Sequence, residues 1–592
     1  MNRGSGRPGG RRTGAALVAA LLVLVGCSGI GSGTSVQPGL EVQGGEVQPV
    51  RAFFPGPAKD ATQDQILRGF VRAGAASDGN YETARSFLTE DAVKSWSPEN
   101  EVVLYSASTP LVVTPRAPNA AVLSGPVEAT IGTDGRYVAA PATAVRQAVF
   151  EFARIDGQWR ISNVPEEFGR WLTTSDLGRL LQPYSLHYIA TDRRALVPDR
   201  RWFARDHLAT RLAREQLADP PAYLDGAVRN NIPRGSRLTA DSVSVTDGVA
   251  RVEITGQVPT DRTQRENVWA QLVSTLLQDP TVQGVSIRIG DVTLELPDVD
   301  LPVRTVEQVD FPPLPEVPLG KAVIRREDVL YLLPSTSTVE TAPRPSGLTN
   351  ITPTFHSLAL SADGTDVAAV DPDGQGISRF RGTTRYDMAF IGLKVGHPAY
   401  DVRGYLWAGG IGLEDRNEVR LWAFDTAGDP AVDRPAATPV EAPWLAKRRV
   451  LESKPSPHGD RVAILHTAED GSGAQVTVSG VTRGPGGAPV RLAEPLRLGP
   501  SLVGLTGLVW VSELSVATIG RRAGDDARPR PYVLSIDGEE QALAETPTGV
   551  SITTAGGERD IIVTTSAGTV LRRAGQQWLS LGKGTDVAVP AR

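Results

Sequence analysis

Cysteine is nearly absent: a chain of 592 residues carries one, Cys27. A single thiol excludes an intramolecular disulfide framework and any zinc site built on several cysteines. Histidine is scarce too. His187, His207, His356, His397, His458 and His466 are scattered without a His-Glu-x-x-His pair, so no metal site is indicated. Acidic residues outnumber basic ones, giving a net charge of −6 and an isoelectric point near 5.7, so no basic field invites nucleic acid. No apolar run approaches the ~18 residues that a membrane-crossing helix needs. There is no Gly-x-Ser-x-Gly elbow, and Gly320-Lys321 and Gly582-Lys583 run into Ala322 and Gly584 instead of the hydroxyl residue of a phosphate loop. The one Gly-x-Gly-x-x-Gly match, at Gly4, Gly6 and Gly9, follows no strand. No catalytic residue, metal ligand or cofactor is therefore expected. Carboxylates are plentiful, but spacing alone aligns no acid–base pair, which leaves a glycoside hydrolase open.

What is present begins at the N-terminus. Arg3, Arg7, Arg11 and Arg12 precede an apolar run over 15–25, and no acidic residue occurs before Glu41. A basic segment followed by a short apolar one has the form of a secretory signal. Leu24-Val25-Gly26-Cys27 resembles a bacterial lipobox, whose cysteine is diacylated on sulfur and acylated on nitrogen after cleavage just before it. Residues 1–26 are thus expected to be a lipoprotein signal peptide and Cys27 the lipidated mature N-terminus. The alternative is an ordinary secreted protein. The Arg11-Arg12 pair matches twin-arginine export poorly and leaves the export route open. The expected location is the outer face of the cell membrane. Residues 27–59, rich in Gly, Ser, Gln and Pro, read as a flexible tether of roughly 30 Å root-mean-square span.

Residues 60–170 read as an α+β domain. Ile66, Leu67, Phe70, Val71 and Ala75 recur at helical spacing, a second short helix carries Phe87 and Leu88, and short strands follow, with a hairpin over Asp156-Gly157. Two helices and then a curved sheet resemble the cone-shaped NTF2-like fold. The Asp/His pair usual in such cones has no histidine here, so a scaffold is expected. Residues 171–296 carry a strand over 185–190, a helix over 203–217, a hairpin over Asp247-Gly248, and a helix opening at Thr263 with Glu266 as a capping box. A closing hairpin over Gly290-Asp291 completes a β-α-β-β-α-β-β order. Leu196-Val197-Pro198 with Arg201, Ile232-Pro233-x-Gly235, Asp247-Gly248-Val249-Ala250 and Gln271-Leu272-Val273-x-Thr275-Leu276 make this stretch resemble the GerMN domain, which implies a binding module. Proline density over 297–320 predicts a stiff extended linker.

From 321 to 592 short strands recur without a helical stripe. Ser361-Ala362-Asp363-Gly364 and Ser456-Pro457-His458-Gly459 are related turns 95 residues apart, or two repeats of about 47, with a strand over 405–408 between them. A β-propeller of five or six blades is expected, with a pair of β-sandwiches as the alternative.

Taken in order, a lipobox, an NTF2-like segment, a GerMN domain, a proline-rich stretch and a propeller resemble the actinobacterial LpqB lipoprotein family. Gly56-Pro57, Ile66-x-x-Gly69-Phe70, Ala84-Arg85-x-Phe87-Leu88-Thr89 and Trp96 carry the resemblance in the first domain. It implies a non-enzymatic, membrane-anchored accessory protein whose partner is the outer domain of a two-component sensor histidine kinase, with effects on envelope homeostasis and division. The competing reading is a cell-wall glycan binder or hydrolase that uses the propeller channel.

Overall fold

The computed structural model describes residues 54–591 apart from 77–79, 142, 312–320, 335–343, 413–418, 433–434, 525–527 and 547. Leu24, Val25, Gly26 and Cys27 lie outside the described residues.

Helix α1 (Gln63–Ala73) starts where Thr62 and Gln65 form a reciprocal capping box, and it buries Ile66, Leu67, Phe70 and Val71. It packs beside an antiparallel sheet of Val112–Ala117, Ala120–Pro126, Val145–Ile155 and Gln158–Asn163. A second sheet sets Val102–Tyr105 between Ala129–Ile131 and Arg170–Thr173, the latter pairing in parallel. Phe70, Trp96, Phe150, Phe168 and Trp171 fill the centre with edge-on and stacked contacts. At the hairpin tip both Asp156 and Gly157 take positive φ, as a tight two-residue turn requires. Phe54 packs against this core, so the folded part starts inside the stretch expected as tether.

The next region departs from the expected strand order. Leu181–Ala190 pairs over its whole length with Leu196–Ala204, a strand the sequence reading left out, and helix α2 (Leu208–Gln216) begins only after it. Val249–Ile254 and Gly284–Ile289 pair in parallel, joined by helix α3 (Arg262–Leu276). The cap of α3 also differs. Asp261, not Thr263, accepts from the Gln264 amide, and Glu266 instead takes hydrogen bonds from Arg194 and Arg262. An ionised cap two residues earlier offers the same orphan amides a stronger acceptor.

The stiff linker expected over 297–320 is corrected for the residues described, 297–311. Val303 pairs through its backbone with Val285, and Val303, Val309 and Phe311 are buried in the core around α3. Proline removes donors and fixes φ, but the apolar residues between the prolines still gain by leaving water.

Six sheets then follow in a ring. Five are sequential antiparallel meanders that open with His356–Leu360, Ala399–Tyr400, Arg448–Pro455, Leu502–Ser512 and Gly549–Thr554. The sixth combines Val323–Arg326 and Val329–Leu332 with Val587–Ala588 near the C-terminus, which closes the ring. This is a six-bladed propeller among the described residues.

The propeller and the preceding region share one hydrophobic cluster, running from Leu186, Trp269 and Ile287 to Leu465, Val478, Leu508 and Leu534. Backbone approach across this seam needs glycine. A Cβ on Gly480 would lie 2.8 Å from that of Ala227 and 3.0 Å from Leu224 Cα, and one on Gly538 would strike the Tyr137 ring of the first domain. We expect Gly480→Val to lever the seam apart, at about 1–3 kcal/mol. Limited proteolysis checks this: the variant should be cut between residues 296 and 356 while the parent resists.

Candidate propeller channel and interdomain seam

The innermost strands of the blades line a narrow channel of about 150 Å³. His397, Glu452, Lys454, Trp510 and Asp586 border it, and the segment Val589 to Ala591 runs along its wall, where the Ala591 amide donates to Leu360 O. Each charged group has a partner. Lys454 Nζ lies 3.5 Å from Glu452 Oε2. Asp586 accepts from Arg325, whose guanidinium also donates to Thr352 O and Phe355 O. Trp510 is buried and donates its indole N–H to Lys454 O at 2.7 Å. Burial lowers the pKa of His397, with Glu452 opposing. The two carboxylates are thus already balanced by cations, and Trp510 is buried with its indole N–H bonded.

Two further buried rings have pH consequences. Burial pushes His187 down to about 4, and burial together with Arg448 does the same to His466, whose Nδ1 accepts from Arg448 Nε at 3.0 Å. In the unfolded chain these rings protonate near 6.5. Between the two values the unfolded state binds more protons, so stability is undiminished above 6.5 and falls as pH drops toward 4. Each ring contributes up to about 1.4 kcal/mol per pH unit. Unfolding midpoints measured across this window should fall, and His466→Gln should flatten the slope.

The second cluster is one the sequence did not reveal. Where the middle region meets the propeller, Asp192, Asp199, Arg201, Asp401, Arg403, Asp460, Arg461 and Arg483 form an ion-pair seam. Arg403 Nη2 sits 2.7 Å from Asp192 Oδ2, and Arg483 Nη2 sits 2.9 Å from Asp401 Oδ2. Arg201 pairs with Asp199 at 2.8 Å, and Asp199 also accepts from the Tyr223 hydroxyl at 2.9 Å. Arg461 donates to Pro198 O across the seam and lies over the Trp510 ring, which joins the seam to the channel. Beside it Arg200 reaches Asp537 at 3.1 Å and Trp202 donates to Asp537 O. The side chains of Arg461, Arg483 and Asp401 are essentially excluded from solvent. The seam therefore fixes the orientation of the middle region on the propeller.

Among the described residues no group of His, Cys, Asp and Glu is arranged to hold a metal, and no helix is long and apolar enough to cross a membrane.

Comparison with known proteins follows the same divisions. Residues 56–178 match the family model described as Lipoprotein LpqB, N-terminal domain, and residues 185–295 match one described as Sporulation and spore germination. Residues 334–591 match the Lipoprotein LpqB beta-propeller domain. Lipoprotein LpqB of Thermobifida fusca is 27% identical over 93% of this chain and 96% of its own length. The Streptomyces coelicolor protein of the same name is 26% identical over 98% and 99%, and that of Mycobacterium bovis is 26% identical over 87% of each. With the same modules in the same order and relatives aligned end to end, the chain belongs to the family of actinobacterial LpqB lipoproteins.

Proposed function

We propose that this chain is a lipid-anchored, extracytoplasmic, non-enzymatic accessory protein. Through Cys27 it is held at the outer face of the cell membrane, and it binds the outer domain of a two-component sensor histidine kinase, with effects on envelope homeostasis and division. The observation that carries this reading is the packing of three modules into one body behind a single anchoring motif. The shared cluster from Trp269 to Leu534 and the Asp401–Arg483 seam hold the middle region and the propeller together as one body that a partner would meet as a unit. The relatives' name, lipoprotein, supports the anchor, and the family resemblance supplies the choice of partner. Signal cleavage before Cys27, with Leu24, Val25 and Gly26 as its recognition residues, belongs to the same proposal.

The test is in-cell crosslinking of the tagged, anchored protein followed by mass spectrometry of what it captures. Enrichment of a sensor kinase's outer domain is expected. Capture of wall enzymes or glycan fragments alone, with no kinase, overturns the reading in favour of wall binding. Paired carboxylates and a buried Trp510 in the channel lend that second reading little support.

A further inference from the structure

The first domain was expected to be a scaffold, yet it carries a half-open pocket of about 620 Å³ between α1 and the two sheets. Its floor is apolar, where Val71, Leu111, Leu123 and Trp171 are buried against the core, and Phe54, Ala107 and Pro110 add the more exposed apolar surface. Most charge around it is already committed. Arg68 Nε shares its N–H between both Asp64 oxygens at 3.0 Å, and Nη1 donates to Leu111 O. Asp176 accepts from Thr173 Oγ1 and Arg179 Nη2. Two groups remain. Arg72 is exposed at the mouth and has no ion-pair partner among the described residues, and the Tyr105 hydroxyl makes no hydrogen bond among them. Both line the same pocket. Burial, and then Asp176, raise the Tyr105 pKa, which keeps the phenol a neutral donor near neutral pH.

We propose that this cavity binds a small amphiphile with one anionic head group. The apolar body lies against Phe54, Pro110 and the rim of Leu111, and a carboxylate or phosphate monoester head accepts from the Arg72 guanidinium and the Tyr105 hydroxyl. Apolar walls with few convergent polar groups are the usual make-up of a small-molecule site. One uncommitted guanidinium selects one negative charge, and its planar donors suit a carboxylate or a phosphate. A free inorganic anion would leave the apolar wall wet, and an uncharged lipid would leave Arg72 unused. Phe54 also lines the cavity, so a bound ligand touches the segment through which the body connects to residue 27.

The experiment uses the chain from residue 27 onward with Cys27→Ala, which keeps every described residue and does not depend on the anchor. Dansylamino-undecanoic acid is the fluorescent probe. Saturable binding with one site per chain is expected, with displacement by undecanoate or undecyl phosphate but not by undecanol or undecyltrimethylammonium. The better competitor of the two anions identifies the head group. Arg72→Gln, an exposed change, should weaken probe binding about tenfold, the typical worth of one charge-assisted contact. Ala107→Trp, at an exposed lining position, should block entry while leaving the unfolding midpoint unchanged. Absence of saturable binding overturns the proposal. So does equal displacement by undecanol or the cation, or binding that neither variant alters.

Discussion

Replacing Asp401 by alanine should cost about 3–5 kcal/mol, the usual penalty for stranding a buried charge. The Asp401 carboxylate is fully buried and takes four donors: the amides of Arg403 and Tyr405 at 2.9 Å, Trp407 Nε1 at 3.0 Å and Arg483 Nη2 at 2.9 Å. Removing it orphans an indole N–H and two amides, and it leaves Arg483 without its closest carboxylate. That guanidinium keeps Gly459 O and Gly487 O, which are neutral, and Asp192 at 4.0 Å, which Arg403 already holds. Two guanidiniums would then share one carboxylate. Asp401→Asn retains a hydrogen-bond acceptor but not the charge, and should fall between alanine and the parent. Alanine at Asp192, which is less deeply buried, should cost less. The measurement is the propeller's denaturant midpoint at constant slope. A loss under 1 kcal/mol for Asp401→Ala would show that water or a shifted acidic side chain replaces the carboxylate.

Because the seam continues from Asp401 through Arg403 to Asp192, the same variant should also loosen the middle region. Chain order did not foretell this, although much of the molecule was legible. The turns at Ser361 and Ser456 fall between the first and second strands of two blades, and one blade lies between them, as their 95-residue separation requires. In both, the serine hydroxyl accepts an amide at the start of the next strand, from Asp366 or Arg461, which explains the shared residue type. The intervening blade uses Asp401 for the same task, bonding the amide of Tyr405, so the repeat was there in a different residue.

The strand Leu196–Ala204 stayed hidden for a related reason. Its inward positions are Val197, Asp199, Arg201 and Phe203, and a charged pair on the buried face erases the apolar alternation by which strands are recognised. Sequence patterning assumes that charge points outward, and it fails wherever two charges bury each other. The linker failed in the opposite sense. Its prolines marked it as extended, while Val303, Val309 and Phe311 carried the packing signal. In the channel Arg325 meets Asp586, and in the seam Arg461 meets Pro198, each pair more than 200 positions apart. No local motif encodes such a pairing. The first domain's cavity escaped because an empty volume is a property of how helix and sheet diverge, not of any residue type.

The other large effect concerns the anchor. Cys27→Ala should abolish palmitate labelling of the protein and, in detergent phase separation, move it from the detergent phase to the aqueous phase. Each buried methylene is worth roughly 0.8 kcal/mol, and a single myristoyl chain gives only marginal, reversible attachment, so the two or three chains expected on Cys27 decide between permanent and transient residence. Among the described residues no helix is long and apolar enough to cross a bilayer. Persistent label in the variant would place the acyl chains on another residue and refute Cys27 as the lipidated one. Loss of label with retention in the detergent phase would mean that an uncleaved apolar segment over 15–25 holds the chain, and Gly26→Trp, which blocks cleavage by bulk, should reproduce it. On the proposed function, the anchor would also set affinity for the membrane partner. Confinement beside the proposed kinase would turn an encounter in free solution into one at a local concentration set by the tether, a gain that reaches about 10²–10⁴ in linked systems. On that reading, crosslinking to the partner should collapse in Cys27→Ala while the isolated body still binds the same outer domain in solution. Equal crosslinking with and without the anchor would show that the propeller surface alone suffices, and would leave the acyl chains a purely locational role.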